Sequence, residues 1–146
     1  MTSICTPTRE DPLARAREIA ASVTDPEMPM LTLDDLGVLR DVSLDVGGAV
    51  TATITPTYSG CPAMATMRDD LVHRLQDNGF AAVTVKVSLS PAWSSDWITA
   101  RGRAALAAHG LSAPGAASHT EGPVALTLMP IRRALTCPRC GSTTSR

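Results

Sequence analysis

The sequence predicts an α/β (α+β) two-layer domain: helices packed on a small mixed sheet, in the order α-β-β-α-β-α, with a C-terminal Cys-x-x-Cys tail. Two alternating runs, Val42-Leu44-Val46 and Val50-Ala52-Ile54, flank Gly47-Gly48, a pair that accepts the positive φ angles of a tight hairpin turn. A third alternating run, Val83, Val85, Val87 and Leu89, follows only after an amphipathic segment. That segment is long enough for a crossover, so the third strand can pair parallel.

The first helix is predicted from Arg9 or Asp11 onward, with Leu13, Ala16, Ile19, Ala20 and Val23 at helical spacing and Pro12 in the first turn. It stops before Asp25-Pro26-Glu27-Met28-Pro29, whose two prolines bias their neighbours toward extended geometry. The loop therefore holds Asp25 and Glu27 with little freedom, which suits ligation, local hydrogen bonding or a plain solvated turn. The hairpin's second strand runs into Thr55-Pro56-Thr57-Tyr58-Ser59-Gly60-Cys61-Pro62. After Pro62, Met64, Met67, Leu71 and Leu75 recur at helical spacing, with charges on the opposite face.

Proline is favoured at the first helical position, so Pro62 is expected to place Cys61 at or next to the N-cap. Free N–H groups and the helix dipole would favour a thiolate there; the alternative is a small apolar residue filling a turn. Gly79 is expected to cap this helix. Beyond the third strand lies Pro91-Ala92-Trp93, a loop able to cover the Cys61 turn. A third helix is predicted over 95–109, with Trp97, Ile98, Ala105 and Leu106 as its apolar stripe.

The Ala, Gly, Pro and Ser content of 112–123 reads as a linker containing His119, and Val124–Leu128 as a short strand. Cys137-Pro138-Arg139-Cys140-Gly141 has the shape of one zinc knuckle, which supplies two of the four ligands of a structural zinc site. The expected organisation is a disordered stretch over 1–8, an α/β domain over 9–111, the linker over 112–123, and a tail over 124–146 carrying half of a zinc ribbon.

In 146 residues, 44% are hydrophobic, enough for one core, whereas 3% are aromatic, too few to stack nucleic-acid bases. A net charge of -1 leaves no electrostatic footprint for phosphate backbones or anionic membranes. No apolar run reaches membrane-span length, and Met1–Val23 has no uninterrupted apolar core of a secretory signal. A cytoplasmic protein is expected. The four cysteines, Cys5, Cys61, Cys137 and Cys140, are too unevenly spaced for a disulfide framework, so thiol or metal chemistry is the default.

Five stretches in order resemble a family of iron-sulfur maturation factors that includes bacterial SufT-like proteins and the cytosolic iron-sulfur targeting component of eukaryotes. They are Asp25-Pro26-Glu27-Met28-Pro29, Asp35-Leu36-Gly37, Pro56-Thr57-Tyr58-Ser59-Gly60-Cys61-Pro62-Ala63, Pro91-Ala92-Trp93 and Gly110-Leu111-Ser112-Ala113-Pro114, spanning about residues 10–115. Within that family the Cys61 wording, Asp96-Trp97 and the terminal Cys-Pro-x-Cys are most similar to the PaaD-type accessory subunits of phenylacetyl-CoA epoxidase systems.

The resemblance implies a small α/β domain and a non-catalytic role in helping a multicomponent oxygenase of aerobic phenylacetate degradation acquire or keep its iron-sulfur or iron centres. It implies that Cys61 handles the transient cluster or iron, with the acidic loop falling on Asp25 and Glu27 and with Thr57 in the same turn as Cys61. The implied partners are the epoxidase components or other iron-sulfur client proteins. Relatives of this type complete a zinc ribbon with a second set of cysteines, whereas this sequence offers Cys137 and Cys140, so zinc requires that the ribbon be completed.

One thiolate cannot hold a cluster whose usual complement is four protein ligands, so transfer requires a homodimer or a client. Two other readings are a docking subunit in which Cys61 is incidental and an enzyme with Cys61 as nucleophile. The last needs a histidine base in reach, and His73, twelve residues along the same helix, lies about 18 Å away at ~1.5 Å rise per residue.

Overall fold

The computed structural model describes residues 11–117, 136, 137 and 139–142. The expectations for residues 1–8, Cys5, His119 and Val124–Leu128 lie outside the described residues. The observed order is α1 (Pro12–Ala21), β1 (Leu39–Leu44), β2 (Val50–Ile54), α2 (Met64–Asp77), β3 (Val83–Val87), a 3-10 turn (Ser95–Trp97) and α3 (Ala100–Ala108). This is the predicted α-β-β-α-β-α order. The sheet runs β1-β2-β3, with β1 antiparallel and β3 parallel to β2.

Each element has a local cause. Asp11 caps α1, its carboxylate accepting the Leu13 N–H at 3.1 Å, and Pro12 sits where a missing N–H is harmless. The hairpin is closed by Asp45, whose Oδ1 accepts the N–H groups of Gly47 and Ala49 at 2.8 Å each, while Gly48 takes φ 84°. Every second residue of β2, Val50, Ala52 and Ile54, is buried, and so are Met67, Leu71 and Leu75 of α2. With α1 on β1, α2 on β3 and the two helices against each other, the core lies between helices and sheet, centred on Leu31, Leu33, Val38, Ile54, Leu71 and Leu75.

Four boundary expectations need correction. Val46 is in the hairpin turn and fully exposed, because the strand ends two residues earlier, at Leu44, where the Asp45 side chain closes the turn. Leu89 lies beyond β3 and is exposed; the ladder's last bond is Ser88 N–H to Ile54 O at 2.9 Å. The third helix begins at Ala100, not 95, because Thr99 is its cap, accepting the Gly102 N–H at 3.0 Å. Trp97 therefore belongs to the preceding 3-10 turn, where Arg40 stacks on its ring at 3.6 Å. The fourth concerns Cys61: α2 begins at Met64 with Ala63 at the N-cap and no capping side chain, so Pro62 is not the first helical residue.

Candidate functional site

The Cys61 turn leaves the carboxyl end of β2, beside the carboxyl end of its parallel neighbour β3, since Ile54 pairs with Val87. In open α/β sheets the space beyond such ends is the usual place for a site. Thr55 and Pro56 are buried and Thr55 N–H donates to Val38 O at 2.8 Å, which anchors the base of the turn to the loop before β1. Thr57, Tyr58, Ser59 and Gly60 are exposed and Cys61 is half-buried, a free thiol packed against the edge of the core. Two successive turns position it: Cys61 N–H donates to Tyr58 O and Met64 N–H to Cys61 O, each at 3.3 Å.

Cys61 thus stands two residues before the N-cap, with its own N–H already engaged. The field of a helix dipole fades within the first turn, and Cys61 lies outside it. What the turn supplies is presentation.

Asp25 is buried and committed to its loop, Oδ1 accepting the N–H groups of Glu27 at 2.8 Å and Met28 at 2.7 Å. It braces the segment that Asp25 N–H to Leu31 O, 2.9 Å, closes. Glu27 is exposed. Among the described residues no three His, Cys, Asp or Glu side chains gather as a metal site. The histidine base that a nucleophilic Cys61 would need is not supplied by His109, whose Nδ1 sits 2.8 Å from Ala105 O at the end of α3, and His73 is on the exposed face of α2.

Cys137 and Cys140 are both exposed on a turn closed by Gly141 N–H to Cys137 O and Cys137 N–H to Ser142 O, each 2.8 Å, with Gly141 at φ 70°. Backbone N–H groups of Arg139 and Cys140, with the Cys140 side chain, hold the Cys137 thiol below its usual pKa. The turn has the form of a knuckle.

Sequence reasoning missed the buried carboxylate of Asp35. Its Oδ1 accepts from Thr99 Oγ1 at 3.0 Å and Arg101 Nε at 2.9 Å; Oδ2 accepts from Thr32 N–H at 3.0 Å and from Arg101 Nη2. Burial pushes its pKa up, yet the hydrogen bonds from Arg101, Thr32 and Thr99 outweigh that and bring it down to about 2. Trp93 Nε1–H donates to Leu36 O at 2.8 Å, so the Pro91-Ala92-Trp93 segment is pinned to the same loop. The Asp-Leu-Gly wording was visible in the sequence, but Thr99 and Arg101, which address the Asp35 carboxylate, lie more than sixty positions away.

Comparison with known proteins agrees with this arrangement. Residues 16–87 match the family described as iron-sulfur cluster assembly protein. The chain is 37% identical over 125 residues to an Escherichia coli K12 protein named as a putative subunit of 1,2-phenylacetyl-CoA epoxidase, covering 85% of this chain and 70% of that one. It is 30% identical over 79 residues to a Porphyromonas gingivalis protein named Fe-S protein maturation auxiliary factor, covering 53% of this chain and 74% of that one. A Bacillus anthracis domain of unknown function (DUF59) superposes with TM-score 0.61 at 26% identity, covering 65% of this chain and 91% of that one. A conserved hypothetical Thermotoga maritima protein, 24% identical with TM-score 0.51, shares the fold over 66% of this chain and 91% of that one. On the sequence matches and the fold together, this chain belongs to the iron-sulfur cluster assembly protein family.

Proposed function

We propose that this protein is a non-catalytic, cytoplasmic accessory factor that assists assembly or maintenance of iron-sulfur or iron centres in a multicomponent phenylacetyl-CoA epoxidase. The cargo passes through Cys61. The observation that carries the reading is one free thiol on an otherwise exposed turn at the carboxyl end of the parallel strand pair, in a chain that matches the Escherichia coli epoxidase relative along 85% of its length.

The donor set fits a carrier better than a resident cluster site. One sulfur with no nearby group of metal-ligating side chains among the described residues leaves a cluster or iron ion with open positions that a client's own ligands would fill. Thr57, exposed four residues before Cys61, and Glu27, exposed on the Asp25-to-Pro29 loop, are the side chains proposed to meet that cargo. The role proposed for Asp25 changes from direct contact to bracing, because both of its carboxylate hydrogen bonds named above are spent inside the loop.

The test is to express the epoxidase components with and without this protein and to measure iron, acid-labile sulfide and activity in each purified component. A deficit in one component without this protein is expected and names the client. Equal iron and sulfide in every component would contradict the proposal.

A further inference from the structure

The outer edge of β3 faces no other strand among the described residues. Val50 N–H donates to Ala82 O at 2.8 Å and Ser88 N–H to Ile54 O at 2.9 Å, so the even-numbered residues of β3 turn their backbone groups toward β2. The alternation of a ladder then directs the N–H and C=O groups of Val83, Val85 and Val87 to the open edge. Beside that edge an open groove of about 480 Å³ is lined by Ala65, Arg68, Asp69 and Val72 of α2 with Val83 and Val85 of β3. The α2 residues are one helical stripe, at i, i+3, i+4 and i+7.

We propose that two copies of this chain join edge to edge through β3, antiparallel about Val85, with the two α2 helices side by side over the extended sheet. The stripe is self-complementary under the two-fold axis this requires. Reversing the helix direction about the point between Arg68 and Asp69 sets Arg68 against Asp69 of the second copy and Ala65 against its Val72. Opposite charges meet, and a small side chain meets a larger one. In the strands, Val85 meets its own copy and Val83 meets Val87, which are the hydrogen-bonded pairs of an antiparallel ladder, so every outward backbone group of β3 finds a partner.

A strand edge left open among the described residues and carrying no proline is otherwise an invitation to indiscriminate pairing. Val87 is 43% exposed at the end of this edge. The arrangement has a consequence for the carrier chemistry. Cys61 precedes α2, so the two thiols sit at opposite ends of the helix pair, on the order of 20 Å apart at ~1.5 Å rise per residue. Such a dimer carries two separate thiol turns and cannot bridge one cluster between its own Cys61 residues.

Sedimentation equilibrium of the full chain from about 1 to 200 µM tests the interface. A monomer–dimer equilibrium is expected. Asp69→Arg should raise the dissociation constant at least about tenfold, and the exchange Arg68→Asp with Asp69→Arg should return it to within about threefold of the natural protein. Both residues are exposed, so far-UV circular dichroism should be unchanged. Val87→Pro, which removes one outward N–H at the edge, should weaken the dimer independently. A monomer at every concentration, a dimer indifferent to Asp69→Arg, or failure of the exchanged pair to recover association would each overturn the proposal.

Discussion

Asp25 and Asp35 are both buried carboxylates, and their hydrogen bonds give them different consequences. Asp25 holds two N–H groups of its own loop, while Asp35 ties Thr32 to Thr99 and Arg101 across the fold. Replacing Asp35 by Asn removes the charge that Arg101 and Thr99 address, and the expected loss is about 1–3 kcal/mol by urea unfolding at neutral pH. The pH dependence follows from its lowered pKa. A carboxylate at about 2 folded against 3.8 unfolded binds fewer protons folded, so its contribution is complete above about pH 4 and is lost as pH falls toward 2. That contribution is at most on the order of 2 kcal/mol, reduced by solvent around the exposed Arg101. Asp35→Asn should therefore differ from the natural protein at pH 7 and converge with it near pH 2; a constant gap would mean the mutation acts through packing alone. Cys61→Ser, by contrast, changes one half-buried atom in a turn held by two backbone bonds, and its melting temperature should stay within about 2 °C.

Among the elements, α3 shows most clearly how the fold depends on close approach. A Cβ on Gly102 would come within 2.7 Å of the Asp35 carbonyl, and one on Gly37, at φ 67°, within 2.4 Å of Trp97 Cβ. Either substitution by Ala must push α3 or the 3-10 turn off the 32–37 loop. Gly102→Ala is expected to destabilise by about 1–3 kcal/mol in urea melts, with the fluorescence of Trp93 and Trp97 shifting toward the exposed value. No change in either would show that the contact yields freely. These contacts were illegible in the sequence, because glycine inside a helical run gives no sign of what lies opposite. The hairpin was legible because Gly47-Gly48 between two alternating runs encodes it locally, and the parallel β3 because the helical segment before it is long enough for a crossover. Helix starts were less so: Thr99 outcompeted the serines before Trp97, and α2 began at Met64 after two turns that Pro62 alone does not announce.

For the whole molecule, the sheet turns the carboxyl ends of β2 and β3 to one side and sets the Cys61 turn there, anchored at its base by the buried Thr55 and Pro56 and by the hydrogen bond from Thr55 N–H to Val38 O. The position of Cys61 was readable from its turn and the following helix pattern. Its distance from the helix start was not, since that depends on two residues of turn before Met64. The loop of Asp25 and Glu27 was recognisable by its prolines, yet only the hydrogen bonds reveal that Asp25 faces inward. The Cys137–Cys140 turn supplies two thiols, so after dialysis against a mild chelator the chain should retain well under one zinc per chain; one tightly held zinc per chain would show that further ligands complete the site.

The central claim is that Cys61 delivers cargo to a client, and the most direct measurement is the iron and acid-labile sulfide content of the epoxidase components from cells supplied with either the natural protein or Cys61→Ser. The folded Cys61→Ser protein is expected to leave its client as poor in iron and sulfide as in cells with neither protein. Full iron and sulfide loading of every component in the presence of Cys61→Ser would contradict the claim.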